Sequence, residues 1–507
     1  MVSSVLYPMM LLSCSALAVP VISRLGEYIK FPKLRDVFSA VVLVLALILT
    51  YMLIPSTPIS YHVEVFGGPY GVDLYVSTMS VYMAVISLIM LSLVAFYSIK
   101  YMELDNGLDR YYALMLTLAT GVVGVVFSGD FFTLYVFWEL ICISSYTLVS
   151  FRKYRWQAVE GGIKYLLMST VGSLIALYGI SLLYGVAGTL NFSALSTIIS
   201  ASQHSVPDIT LYSIIVLIVV GFGVSSAVAP FHSWIPDAYV GAPNCVASLS
   251  TVVLKIAVFS IIRGLITVFS PFSFDYGFVL ISLGILSLTL GNLLAIMQRD
   301  IRRLLAFSSV SNMGYIFTGL GVGTYLLYHY GYQVAYAFEV AMVGVFLHML
   351  NHIFGKGLLF MAVGNLSQST KSYYISKLEG IGKKMPITGL SASIGLLGLG
   401  GVPPLSGFWS KLFIISAAAS VIVDPILAFT LAFLVFNSVF DAAYYIWVFQ
   451  RIIFKPVADE SRSATEVSAF MWMPILVLAS LLIIITLRLD FFVTFAQVAL
   501  RSLFGGG

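Results

Sequence analysis

An all-α polytopic membrane protein of about fourteen transmembrane helices, containing two inverted five-helix repeats, is the fold class this sequence predicts. Three observations predict it: overall apolarity, the length of the apolar runs, and the placement of basic residues. Of 507 residues, 60% are hydrophobic and 9% charged, with a mean hydropathy of +1.01. A soluble globular chain is far more polar. The apolar runs repeatedly reach the roughly 20 residues that a helix needs to cross a bilayer.

Taken in order, the runs between polar breaks give spans starting near residues 3, 35, 74, 110, 131, 162, 209, 243, 275, 302, 334, 387, 424 and 467. The first, in "MVSSVLYPMMLLSCSALAVPVISRLGEYIK", lacks a basic stretch ahead of its apolar core and so reads as a membrane helix rather than a cleaved signal. With the N-terminus outside, nineteen of the twenty-six Lys and Arg residues fall in inward loops such as "RLGEYIKFPKLR", "RKYR", "RDIRR" and "KSYYISKLEGIGKK". The outward loops "PSTPISYHVEVFGGPYGVD" and "NFSALSTIISASQHSVPDIT" carry almost none. This positive-inside pattern supports an even number of spans.

The formal charge of +4 is uninformative about partners, and nothing supports nucleic-acid binding. Cys14, Cys142 and Cys245 lie in separate apolar runs without ligand spacing, so they are expected to pack as small hydrophobes. Polar connections of about 20 residues are too short to bury a core of their own, so residues 1–507 form one membrane domain. Any catalytic centre working on a soluble substrate would have to come from other chains.

A duplication is expected within that domain. Asp130 opens the fifth span, and 100 residues later Pro230 interrupts the seventh in "AVAPFHSWIPDAYVGAP", which also holds Pro236. Asp300 opens the tenth, and 103 residues later Pro403 and Pro404 interrupt the twelfth in "GGVPPLSGFWSK". Residues 110–268 (spans 4–8) and 275–450 (spans 9–13) are therefore two five-helix units. An odd helix count makes them inverted, an arrangement common in transporters. The local match of "KYLLMSTVGSL" to "KGLLFMAVGNL" is out of this register and is taken as coincidence.

Charges at the membrane centre cost about 2.5 kcal/mol upward, so each needs a reason. Glu139 lies nine residues beyond Asp130, near mid-membrane; Lys255, twelve beyond Pro243, is similarly deep. His348, His352 and Lys356 recur every four residues and share one helix face. Lys411 follows the second break, and Asp441 is a further acid in span thirteen. Proline frees backbone groups that hydrocarbon cannot satisfy, so both breaks are expected to face a hydrated interior.

Each group has a blander reading. Glu139 and Lys255 could be static ion-pair members, Lys356 could extend to the inner headgroups, and Arg263 is expected to do so at the outer face. Glu103, Asp105 and Asp109 belong to a solvated loop. The histidine pair has metal-ligand spacing but no "HExxH" glutamate and no third ligand, so no metal is expected.

The segments "FFTLYVFWEL", "PFHSWIPDAYVGAP", "LKIAVFSIIR", "RDIRRLLAFSSVSNMGY", "NHIFGKGLLF" and "GGVPPLSGFWSKLF" resemble, in order and spacing, the antiporter-like proton-translocating subunits of respiratory complex I and Mrp cation/proton antiporters. The resemblance covers residues 75–455, and the lysine after "PPLSGFW" makes the chain most similar to the Mrp D-type subunit. Similar subunits occur in archaeal membrane-bound hydrogenases and sulfur-reducing complexes.

The resemblance implies a role for each matching residue. Glu139 corresponds to the switching glutamate of the fifth helix, Lys255 to the central lysine, His352 and Lys356 to the eleventh-helix relay, and Lys411 to the terminal carrier. One position departs: the family's seventh-helix lysine, five residues before the break proline, is Ser225 here. Glu139 then lacks its usual counter-charge.

The expectation is an ion-translocating subunit of an Mrp antiporter, or of an Mrp-containing respiratory complex such as a hydrogenase or sulfur reductase. It would move protons, with sodium coupling left open, in the plasma membrane of a prokaryote. Other membrane subunits and the lipid bilayer are the expected partners; no cofactor is expected in this chain. The rivals are a non-pumping scaffold, a stand-alone secondary transporter and, resting only on the histidine pair, an intramembrane enzyme. A row of separated lysines and histidines suits protons better than a solute.

Overall fold

The computed structural model describes residues 2–64, 71–202 and 207–502, so parts of both long outward loops lie outside the described residues. The first five passes are α1 (Leu6–Tyr28), α2 (Leu34–Tyr51), α3 (Thr78–Tyr101), α4 (Leu108–Phe127) and α5 (Phe131–Val149). After α6 (Trp156–Ala187) a short outer helix, α7 (Phe192–Ser202), precedes the seventh pass, which is split into α8 (Asp208–Ser225) and α9 (Ile235–Gly241). Then come α10 (Asn244–Val268), α11 (Gly277–Ile296), α12 (Ile301–Tyr330) and α13 (Ala335–Thr370). The twelfth pass is split into α14 (Pro386–Gly400) and α15 (Ser406–Ala419). The chain ends with α16 (Pro425–Ile453), α17 (Ala469–Leu487) and α18 (Leu489–Arg501).

Among the described residues twelve stretches are long and apolar enough to cross a membrane, one of them running unbroken through α12 and α13. Dividing that stretch and adding the broken twelfth pass gives the fourteen spans expected. Two features were not anticipated. The outer loop after α2 folds into an antiparallel hairpin of β1 (Ile59–Glu64) and β2 (Gly71–Val76), a small departure from an all-α chain. In addition, α7 and α18 lie against the bundle as amphipathic helices: α7 buries Phe192, Leu195 and Ile199, and α18 seats Phe495 against Tyr82 of α3.

Helix placement follows side-chain polarity. Peripheral α1, α2 and α6 expose Leu17, Val41 and Leu174, as lipid contact requires. By contrast α10 is buried at every position but Thr267, and α13 is buried without interruption from Ala341 to Ser367. Those two helices carry Lys255, His348, His352 and Lys356. Neighbouring α11 and α12 pack through glycines: a Cβ on Gly314 would lie 2.5 Å from the Leu288 amide nitrogen.

The fifth and tenth passes begin alike. Asp130 caps α5 by accepting from the Thr133 amide (2.7 Å), and Asp300 caps α12 by accepting from the Arg302 amide (2.8 Å). Phe131 N–H donates to Leu190 O (3.1 Å), and Ile301 N–H donates to Tyr373 O (3.0 Å). At the inner face Lys164 (2.6 Å) and Arg303 (2.9 Å) both pair with Asp237 of α9, fastening the broken seventh pass to the tenth. In the loop after α3, Lys100 and Lys33 grip Glu103 and hold its carboxyl down to about 2.

Candidate ion pathway

The two breaks place polar groups inside the bundle in different ways. Between α8 and α9, residues 226–234 leave the helix, with Pro230 inside the break and Pro236 in the first turn of α9. The carbonyl of Val224 accepts from the Ala227 amide (3.1 Å) and from the Trp234 indole (3.0 Å), and the Ala229 amide donates to Ser287 Oγ (2.9 Å). Between α14 and α15, Gly401 takes φ +74° ahead of Pro403 and Pro404. There the freed carbonyl of Leu399 accepts from Lys411 Nζ (3.0 Å). Side chains of the fold reach these backbone groups, and at the second break the group that does so is itself ionisable.

From Lys411 a row of buried polar side chains runs in both directions. On one side Lys411 forms an ion pair with Asp441 of α16, which also accepts from the Tyr444 hydroxyl. Asn292 of α11 lies 3.3 Å from that hydroxyl and donates to Asn437 Oδ1 (3.1 Å). On the other side the adjacent residue Ser410 lies 2.9 Å from His348 Nδ1. The Ser410 hydroxyl donates to Gly407 O (3.0 Å), so the ring nitrogen is the donor and His348 Nε2 is left as an acceptor. One helical turn along α13, His352 Nδ1 is hydrogen-bonded to Lys255 Nζ of α10. A further turn on, Lys356 donates to Leu305 O (2.7 Å) and to Ser308 Oγ of α12.

Lys255, His348, His352 and Lys356 have no exposed surface, and Lys411 and Asp441 are buried. Aromatic faces complete the cationic sites: Tyr315 lies 4.8 Å from Lys411 Nζ, and Tyr445 lies 5.5 Å from Lys356 Nζ. Lys356 therefore does not extend to the headgroups. Arg263 does not either. It is 2% exposed and covered by the hairpin and α7, with its guanidinium 4.9 Å over Tyr75 and 5.3 Å over Phe192.

Glu139 stands apart from this row. It is half-buried in α5, its buried Oε1 has no hydrogen-bond partner, and no ion pair to it exists among the described residues. Ser225, at the end of α8, is buried with an unpartnered hydroxyl. The structure thus joins Lys255, His352, His348, Lys411 and Asp441, holds Lys356 beside them, and leaves Glu139 without an amine.

Sequence reasoning passed over Ser308, Ser410, Tyr315, Tyr444 and Asn292. A signal existed: Asn437, Asp441 and Tyr444 recur at helical spacing on α16, as do Ser308, Asn312 and Tyr315 on α12. Among the described residues no group of three or more metal-ligating side chains occurs.

Residues 128–440, which contain every member of the row except Asp441 and Tyr444, match the model of the NADH:quinone oxidoreductase/Mrp antiporter transmembrane family. The chain belongs to that family. It is 31% identical over 491 residues to an NADH-quinone oxidoreductase subunit N from Desulforudis audaxviator, covering 91% of this chain and 92% of that one. It is 32% identical to a Na(+)/H(+) antiporter subunit A1 from Staphylococcus epidermidis, over 78% of this chain and 49% of the relative. Among solved structures, a chain of the membrane-bound sulfane sulfur reductase, an archaeal respiratory membrane complex, superposes with a TM-score of 0.86 at 27% identity, covering 99% of this chain and 98% of that one. As a family member the chain is an ion-translocating, multi-pass membrane subunit, and other membrane subunits are its partners.

Proposed function

We propose that this antiporter-family subunit carries protons along the buried row from Lys255 to Asp441, as part of a respiratory or Mrp-type complex. The observation that carries the reading is the buried succession of polar side chains across α10, α13, α15 and α16: Lys255 bonded to His352, His348 one turn on and bonded to Ser410, and the next residue, Lys411, paired with Asp441. Amines, imidazoles and hydroxyls are groups that can both accept and donate protons, so such a row can pass a proton from member to member.

In the Lys255–His352 hydrogen bond a single proton lies between two nitrogens, so the pair takes up or releases one proton without changing its geometry. His352 and His348 sit one turn apart, about 6 Å along the axis, and each keeps Nε2 free. A ring flip or one bridging water passes the proton between them. His348 Nδ1–H hands on through the Ser410 hydroxyl to the Lys411 site. There Lys411 is ion-paired with Asp441. Charge on Lys356 repels charge on Lys255, since no acid lies between them among the described residues, so loading at one end biases the other.

Protons fit better than sodium as the carried ion. A sodium ion needs several oxygen ligands, and the row's one acid, Asp441, is already held by Lys411 and Tyr444. The paired features at Asp130 and Asp300 support residues 110–268 and 275–450 as inverted copies. The non-pumping scaffold remains the second reading, favoured by the unpaired Glu139 and by Ser225. Reconstituting the complex in vesicles with a pH-sensitive dye decides between them. Driven proton movement that disappears in Lys255→Ala, with assembly retained, supports the pathway; movement that persists in that variant overturns it.

A further inference from the structure

We propose that the outer face carries a phosphate-binding site centred on Arg263, taking the phosphodiester head group of an outer-leaflet lipid. A cavity of about 580 Å³ opens there between the hairpin, α7 and the end of α10. Arg263 lines it and is 2% exposed, yet its Nε and one terminal nitrogen have no partner. The other terminal nitrogen makes only long bonds, to Tyr75 O (3.4 Å) and Ser128 O (3.3 Å). A buried guanidinium that no carboxylate among the described residues neutralises is costly, and its planar fork, screened by the Tyr75 and Phe192 rings, matches two oxygens of a phosphate once a ring shifts aside.

The cavity's acid does not fill that role. Asp73 is the one carboxylate among its described lining residues, and its oxygens are taken by His62 (2.6 Å) and Asn191 (2.9 Å). Ser196 and Ser270 add hydroxyls to the wall, while Phe192 and Ile266 make it apolar on the membrane side. Arg263 sits five residues before the end of α10, about 7.5 Å along the axis from it. A polar floor with an apolar flank suits a lipid phosphate, whose glycerol and acyl parts the flank can take, better than a freely diffusing anion.

The test uses the full chain in mild detergent. It is titrated with phosphatidylglycerol, with diacylglycerol of the same acyl chains, and with inorganic phosphate; bound lipid is counted by native mass spectrometry and stability by thermal melting. Saturable retention of phosphatidylglycerol but not diacylglycerol is expected, weakened about tenfold in Arg263→Gln. Ser196→Asp places a repelling charge on the cavity wall and leaves the arginine in place, so it should weaken retention even if Arg263→Gln does not fold. Equal retention in wild type and Ser196→Asp, or equal binding of the two lipids, overturns the proposal. Displacement of the lipid by millimolar inorganic phosphate would overturn the lipid assignment and identify a free-anion site.

Discussion

Lys411 and Asp441 form a buried ion pair that ties the broken twelfth pass to the thirteenth, and the same lysine closes the break by donating to Leu399 O. One amine therefore serves both backbone and carboxylate. The acid–base pair that the family resemblance places between the fifth and seventh passes is replaced there by an unpaired Glu139 and a serine, while a pair is present in the second half of the chain.

Asp441→Asn should uncouple the exit end of the row. The remaining Lys411 is then a buried, uncompensated cation, a change that costs about 3 kcal/mol. Thermal melting in detergent should show the loss, and Lys411→Met in the same background should recover most of it. A double mutant no more stable than Asp441→Asn alone would show that the pair contributes little.

Lys255→Ala should abolish driven proton movement while leaving complex yield nearly unchanged, because the alanine is inexpensive in a buried helix but offers His352 no proton. Dye-based transport alongside native gel analysis reads both quantities.

Charge type, not charge alone, should matter at Lys411. Guanidinium keeps its proton under all working conditions, so Lys411→Arg should lose nearly as much transport as Lys411→Ala. Full transport in the arginine variant would reduce Lys411 to a fixed positive charge.

Ser225→Lys should restore an amine near Glu139 and hold the carboxylate ionised. If Glu139 works by taking up and losing a proton, turnover should fall several-fold in this variant, and Glu139→Gln should be slow as well. Wild-type turnover in both variants would make Glu139 structural and favour the scaffold reading.

At the first break, Trp234→Phe keeps the stacking on Tyr165 (ring centroids 4.1 Å apart) but removes the indole donor to Val224 O, which keeps the Ala227 amide (3.1 Å). Losing that one hydrogen bond should destabilise the chain by about 1 kcal/mol, read as a lower melting temperature.

The amino-acid sequence by itself determined the fourteen passes, both breaks and the ionisable members of the row. Each of these is a local contrast against an apolar background: twenty apolar residues, a proline inside them, or a lysine where lysine is costly. Glu139, Lys255, His352 and Lys411 stand out for that reason. What the tertiary structure alone decided is which partner each one meets. Asp441 was visible as an acid, but only the packing of α15 against α16 makes it the counter-charge of Lys411. Ser308, Ser410 and Tyr444 were invisible because hydroxyls are common in membrane helices and gain meaning only when a distant helix presents an amine or a carboxylate. Arg263 was misjudged because nearness to a helix end suggests a route to the headgroups, whereas the paired strands β1 and β2 and the helix α7 close over it. Pairing across 97 residues, as between Lys255 and His352, is fixed by how helices pack, and packing depends on the shapes of whole faces rather than on any run that can be read along the chain.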